Sequence, residues 1–289
     1  MEKEKIWTVL DLITWAKDWM GEKGVESPRL NAELMLCKIL CWQRLDLYTR
    51  FDRPLVQDEL AKFKSWIKRR VGREPLQYIL GDVDFLGLNL IVNPSVLIPR
   101  PETEMMAEKI IDYYSLSEPK NILDIGTGSG ALALSLAQKF VSSEVMGIDI
   151  SSEAIEIAKE NASRNKINNI KLSVVNILDT TEKNILSQKY DLIVSNPPYI
   201  STEDFVNLEP ELKNHEPKIA LTDNQDGMHF YRKFAEMFDS ILTENGKFFL
   251  EIGKSQESMI SEMFANQNYN IKIHSDLFGV NRFIEGARN

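Results

Sequence analysis

The sequence predicts an α/β protein: a mostly parallel, doubly wound sheet in the greater part of the chain, preceded by a small α-helical bundle and a β-hairpin. Three observations lead there. From about residue 120, apolar strand-like runs alternate with helical stretches, a pattern that demands parallel strands, right-handed crossovers and helices on both faces. A glycine-rich turn at Gly126–Gly130 joins the first of these strands to a helix. Before residue 80 the apolar rhythm is helical throughout, and between about 76 and 98 it changes to a period of two.

Taken in order, Ile6 to Met20 has apolar residues at helical spacing. Ser27-Pro28 reads as the N-cap and first residue of a helix running to about Cys41. A third helix spans Asp58 to about Val71 and ends in the basic cluster Lys68-Arg69-Arg70, where the dipole favours cations. The apolar stripes of this bundle account for Trp15, Trp19 and Trp66. Val83 to Val92 alternates around Gly87, as in a short hairpin. Pro101-Glu102-Thr103-Glu104 opens another helix, with acidic residues in its first turn. Strands are expected at Asn121–Ile125, Glu144–Asp149, Ile170–Val175, Asp191–Ser195 and Lys247–Glu251, with helices at about 129–139, 152–164, 227–243 and 255–265. Two closing runs, about 269–275 and 280–285, have only a short turn between them. One of that pair must therefore run antiparallel. The expected division is 1–80 for the helical domain, 81–100 for a hairpin linker and 101–289 for the sheet domain.

Composition narrows the function classes. The 289 residues suffice for one large and one small domain with real cores. A formal charge of −9 argues against whole-surface attraction to nucleic acid. That charge is uneven: residues 1–80 carry 15 Lys+Arg against 12 Asp+Glu, a net +3, which leaves 19 against 31, or −12, on the remainder. No run approaches the roughly 18 apolar residues of a membrane span, and the start MEKEK leads into no apolar signal core. A reducing cytoplasm is the expected compartment. Cys37 and Cys41 match no disulfide framework or zinc site and are expected in core packing. His215, His229 and His274 have no ligand spacing, so no metal is expected.

The run Asp124-Ile-Gly126-Thr127-Gly128-Ser129-Gly130 needs residues without Cβ where a ligand lies against the backbone. Its third glycine comes one residue too early for the dinucleotide fingerprint. Asp124, two residues before the first glycine, would repel a phosphate but suits the α-ammonium of S-adenosylmethionine. Asp149 ends the second strand, where a carboxylate can accept from both ribose hydroxyls; its alternative is to cap the helix at 152–164, although Ser151 already offers that cap. Asn176-Ile177, after the third strand, would border the adenine edge, and Asn there is also a common turn residue.

The fourth strand opens into Asn196-Pro197-Pro198-Tyr199. Two prolines stiffen the chain. The Asn196 side-chain oxygen and the Pro197 carbonyl become fixed acceptors beside the cofactor, and Tyr199 offers a face on which a planar group can stack. An amide or exocyclic nitrogen is a poor nucleophile because its lone pair is delocalised. Accepting both of its hydrogens pushes charge toward nitrogen and aims it at a sulfonium methyl. The rigid-turn reading explains the prolines but not Asn and Tyr together. The polar stretch Glu209 to Asp226 is expected as a mobile lip over the substrate.

These residues stand with Arg73-Glu-Pro-Leu-Gln77-Tyr78-Ile-Leu-Gly81, Leu97-Ile-Pro-Arg100-Pro-Glu102-Thr-Glu104, Glu216-Pro217 and Asp226-Gly227. Over nearly its whole length the chain resembles the peptide-chain release factor glutamine methyltransferases, often called PrmC or HemK. The resemblance implies a Rossmann-like, seven-stranded class I methyltransferase domain behind a helical domain that helps grip the substrate. It implies S-adenosylmethionine as cofactor, with S-adenosylhomocysteine as product. It also implies, as substrate, the amide of the glutamine in the GGQ motif of class 1 release factors. Gly126 to Gly130 and Asp149 would hold the cofactor, with Asn196 bordering it, and Asn196 to Tyr199 would hold the glutamine amide. Asn176 stands where many members have Asp. A nucleic-acid adenine or guanine N-methyltransferase is the alternative, disfavoured by the acidic body. A degenerate, non-catalytic scaffold is disfavoured by the intact glycine turn, Asp149 and NPPY. A monomer with no nucleic-acid or membrane partner is expected.

Overall fold

The computed structural model describes residues 6–179 and 188–289; the MEKEK start lies outside the described residues. The chain divides into two compact units, one ending at Gly81 and one spanning Asp82–Asn289.

Five helices make up the first unit among the described residues: α1 (Val9–Glu22), α2 (Pro28–Leu40), α3 (Arg44–Thr49), α4 (Gln57–Val71) and α5 (Leu76–Leu80). A capping box starts α1 three residues later than the apolar pattern alone suggests, because the Thr8 hydroxyl accepts from the Asp11 amide. Ser27 sits at the N-cap of α2 but with φ 46° and no side-chain cap; Asn31 Nδ2 donates to its carbonyl instead. The core holds Val9, Leu12, Ala16, Met35, Leu36, Phe63 and Ile67, with Trp15, Trp19 and Trp66 packed against it. Cys37 packs there too, whereas Cys41 is exposed in the left-handed residue that ends α2, a correction to its expected burial. The short α3 and α5 escaped the periodicity because neither spans two turns.

The second unit opens with the hairpin β1 (Asp82–Phe85) and β2 (Leu88–Ile91). The hairpin belongs to this compact unit. Phe85, Leu88 and Leu90 lie in the same core as the following helices, and the Asn161 side chain bonds both the amide and the carbonyl of Ile91. Then come α6 (Pro101–Tyr113), β3 (Asn121–Ile125), α7 (Ala131–Lys139), β4 (Glu144–Asp149), α8 (Ser152–Arg164), β5 (Ile170–Val174) and β6 (Tyr190–Ser195). Three short helices follow, α9 (Thr202–Phe205), α10 (Pro210–His215) and α11 (Lys218–Leu221). The chain closes with α12 (His229–Ile241), β7 (Leu242–Glu251), α13 (Glu257–Ala265), β8 (Tyr269–Ser275) and β9 (Asn281–Arg288).

The seven-stranded sheet runs in the order β5-β4-β3-β6-β7-β9-β8, parallel except for β9, which pairs antiparallel with both β7 and β8. Successive residues alternate between two apolar layers, as the pleat requires. Ile122, Leu192, Val194 and Phe249 meet α6, α7 and β2 on one face. Leu123, Ile193, Phe248 and Leu250 meet α12 and α13 on the other. Strand order reverses beside β3, which places a crevice at the carboxyl ends of β3 and β6.

Candidate active site

A cleft of about 260 Å³ lies at that switch point. Gly126 and Gly128 line it from the turn after β3, Asp149 from the end of β4, and Asn176 and Ile177 from the segment after β5. Asn196, Pro197 and Pro198 line it from the turn after β6. The strand ends explain the meeting: Ile125 pairs in register with both Ile148 and Ser195. The Asn196 carbonyl also comes within 4.0 Å of where a Cβ on Gly126 would stand.

Asp149 is held by its own backbone surroundings. Its Oδ2 accepts from the Gly128 amide and its Oδ1 from the Ser151 amide, both at 2.9 Å. Capping of α8 falls to Ser151, whose hydroxyl accepts from the Ala154 amide at 3.1 Å. Burial pushes the Asp149 carboxyl above its ordinary range, against the lowering effect of the backbone amides. Each oxygen keeps a lone pair for a ligand hydroxyl. Asn176 is exposed, and its side-chain oxygen accepts from the Leu178 amide at 3.1 Å, the turn role that its residue type allows.

Asp124, Thr127, Ser129 and Gly130 do not line the cleft. Strand parity explains Asp124: it points with Ile122 toward α7, beneath the glycine turn. Its Oδ2 accepts from the Thr127 hydroxyl at 2.7 Å and from the Ala133 amide at 3.1 Å. Its Oδ1 is buried without a hydrogen-bond partner. Burial raises its pKa to about 7. In this arrangement the Asp124 carboxyl braces the glycine turn through Oδ2. Gly130 caps α7 at φ 84°, where a Cβ would stand 2.9 Å from Leu134 Cδ1. Its glycine serves helix packing rather than ligand access.

At the reacting end, Ser195 is anchored by its hydroxyl to the Ile125 carbonyl at 2.7 Å. Asn196 Nδ2 donates to Thr103 Oγ1 at 3.0 Å, and Thr103 Oγ1 donates to Glu251 Oε2 at 2.6 Å. Tyr199 stands beside the cleft wall, not on it; its hydroxyl donates to Glu251 Oε1 at 3.3 Å and its ring packs on the core next to α12. The Tyr231 hydroxyl donates to the Glu251 carbonyl at 2.7 Å. Burial lifts the Glu251 carboxyl to about 7 and raises the Tyr199 hydroxyl well above its ordinary value. Thr103 and Glu251 went unrecognised as site residues. The available signals were Thr103 within the Pro101–Glu104 helix start and a carboxylate ending the strand beside β6.

The Glu209–Asp226 stretch forms α10 and α11 rather than an irregular lip. Arg100 pairs with Glu216 at 2.6 Å, and Ile200 bridges to Thr222. Pro217, Ala220 and Asp223 from this stretch line the cleft. Gly227, at φ 79°, passes so close to the Tyr199 carbonyl that no Cβ fits there. His229 and His274 are taken up by Phe230 and by Phe283 with Glu285. Among the described residues no group of three or more His, Cys, Asp or Glu could hold a metal, and no helix is long and apolar enough to cross a membrane.

The charge on the wall discriminates between cofactor classes. Among the described residues, Asp149 and Asp223 are the charged ones that line it, and no Lys, Arg or His does. A pyrophosphate would meet two carboxylates and no cation, whereas a nucleoside carrying a positive charge fits.

Comparison with known proteins agrees with this geometry. The PrmC N-terminal domain profile matches residues 11–81, and a profile described as a methyltransferase domain matches residues 116–281. The release factor glutamine methyltransferase of Geobacter sulfurreducens is 38% identical over 286 residues, covering 99% of this chain and 98% of the relative. The chain belongs to the release factor glutamine methyltransferase family. Another member, from Fusobacterium nucleatum, is 38% identical over 277 residues, covering 95% of this chain and 77% of its own. Among solved structures, the catalytic domain of hMettl16 in complex with an RNA hairpin aligns with a TM-score of 0.55 at 14% identity, covering 82% of this chain and 84% of that one. A Pyrococcus furiosus methyltransferase aligns at 0.50 with 22% identity, covering 69% and 88%. At such identities the structural likeness shows the class I methyltransferase fold alone. Within the family, the release factor methyltransferase domain here places the glycine turn, the β4 carboxylate and the NPPY turn around one cleft.

Proposed function

We propose that this protein transfers the methyl group of S-adenosylmethionine to the side-chain amide nitrogen of the glutamine in the GGQ motif of class 1 release factors. One observation carries the reading. A cleft runs from the Asp149 carboxylate to the Asn196-Pro197-Pro198 turn, and no cation among the described residues lines it. Family membership narrows the acceptor to release factor glutamine.

Bound in the cleft, S-adenosylmethionine supplies a methyl group on a sulfonium. The chain's own residues do the rest. Asp149 accepts from the ribose hydroxyls while fixed by Gly128 and Ser151. Gly126 and Gly128 let the backbone approach the ligand, and Asn176 and Ile177 border the base. Asn196 Oδ1 and the Pro197 carbonyl accept the two amide hydrogens, which aims the nitrogen lone pair and favours charge on it. The methylated nitrogen is strongly acidic and loses a proton to solvent as the new bond forms, so no dedicated general base is needed. Pro198 stiffens the turn, and Tyr199 anchors it through Glu251. The helical unit, residues 1–80, contributes grip on the release factor, whose work is cytoplasmic.

The test is to incubate the protein with a release factor and isotopically labelled cofactor, and to map the product by mass spectrometry. Label on the GGQ glutamine is the expected result. Label entering ribosomal RNA or DNA, with the release factor unmodified, would favour the nucleic-acid alternative.

A further inference from the structure

We propose that Thr103 and Glu251 are positioning residues for methyl transfer: Glu251 fixes the direction of the Thr103 hydroxyl, and Thr103 thereby holds the Asn196 amide with its oxygen turned to the cleft. The inference rests on the proposed acceptor role of Asn196 and deepens it.

An asparagine amide has a donor end and an acceptor end of nearly the same shape, and only the acceptor end can take a hydrogen from a substrate –NH2. Something must forbid the flipped state. Asn196 Nδ2 lies 3.0 Å from Thr103 Oγ1, but a hydroxyl alone cannot forbid it, because it can rotate and donate to a flipped amide oxygen. The hydroxyl has one hydrogen, and the ionised Glu251 carboxylate, which can only accept, claims it through Oε2 at 2.6 Å. Thr103 is left with lone pairs only toward Asn196, which must answer with N–H. The direction set at Glu251 passes through Thr103 to Asn196.

The fold secures this relay at a cost. Thr103 is 5% exposed and Glu251 2% exposed. Glu251 has no ion-pair partner among the described residues, and a buried unpaired carboxylate is expensive. Arg100, the arginine whose charge it feels, is paired with Glu216. Packing alone would be served by an apolar side chain. Two further bonds hold the carboxylate in place, from the Tyr199 hydroxyl to Oε1 and from the Tyr231 hydroxyl to the Glu251 carbonyl. The relay also gives the Pro101–Glu104 helix start a purpose at the site, since Thr103 is the third residue of α6 and reaches across to the end of β6.

The experiment is a single-turnover double-mutant cycle on the full chain with release factor and S-adenosylmethionine. Thr103→Val keeps the shape and removes the hydroxyl. It should slow methyl transfer about 10- to 100-fold, as removal of an outer orienting partner does, with cofactor Kd near wild type in a variant that melts lower but stays folded at the assay temperature. Thr103→Ser should recover most of the rate. Thr103→Val should cost almost nothing further in an Asn196→Ala background, where no amide remains to be oriented. Glu251→Gln, which can turn a donor toward Thr103, should slow the wild-type background and leave the Thr103→Val background unmoved. A wild-type rate for Thr103→Val, or a loss that persists in full beside Asn196→Ala, would overturn the relay. Failure of the unaltered protein to methylate any release factor would instead sink the substrate reading, a result visible before any variant is compared.

Discussion

Asp149 Oδ2 accepts the Gly128 amide at 2.9 Å, so the carboxylate ending β4 and the glycine turn ending β3 hold each other in place. One side chain thereby orders both strand ends of the cleft, which it also lines.

Replacement of Asp149 by Ala should therefore weaken S-adenosylmethionine binding at least 10-fold, since each charge-assisted hydrogen bond lost is worth about 1.5–3 kcal/mol. Titration calorimetry on the folded variant measures this. An unchanged affinity would remove Asp149 from the cofactor site.

Asp124 carries a pH signature. Burial raises its carboxyl from 3.8 to about 7. A raised folded-state pKa contributes stability that is present below the unfolded value and lost as pH rises through the folded one. Between pH 4 and 7 the wild type should lose stability at this position, on the order of a few kcal/mol at about 1.4 kcal/mol per unit. Asp124→Asn carries no such charge, so its melting temperature relative to wild type should climb from pH 5 to about 7 and level off above it. Parallel wild-type and Asp124→Asn melting curves across that range would contradict the buried, protonated carboxyl.

The helical unit has its own core, and the cofactor cleft is lined by residues from Ser95 onward. A chain beginning at Asp82 should bind S-adenosylmethionine with near-native affinity by calorimetry. Its kcat/KM on intact release factor should fall by 10-fold or more, because part of the docking surface is gone. Full activity on intact release factor would refute the gripping role of residues 1–80.

Legibility in the sequence followed the reach of each signal. The seven strands and their single antiparallel member came from period and turn length, and the structure moves their ends by a few residues at most, save β7. That strand begins at Leu242 because Leu242 pairs with Tyr190 before the register shifts. The cleft residues Gly126, Gly128, Asp149, Asn196 and Pro197 were readable because each stands at a strand end or in a turn that strand order brings together. The bracing role of Asp124 was not readable, because parity along β3, which turns it under the glycine turn onto Thr127 and Ala133, shows only once the chain is folded. Thr103 and Glu251 could not be paired from sequence: 148 positions separate them, and only the packing of α6 beside β7 brings them within a hydrogen bond. The short helices in 209–226 were hidden by a polar composition that also suits a loose loop.

The account stands on Asn196 as the acceptor that positions and activates the substrate nitrogen. Its most direct test is the single-turnover rate of Asn196→Ala with release factor and saturating S-adenosylmethionine, with melts and cofactor titration as controls. Loss of one preorganised polar contact of this kind costs on the order of 10²–10³ in rate, so the rate should fall by that factor while cofactor affinity changes far less. Asn196→Asp, nearly isosteric and still an acceptor, should retain more activity than Ala. A wild-type single-turnover rate in folded Asn196→Ala would reduce Asn196 to a turn residue and contradict the mechanism.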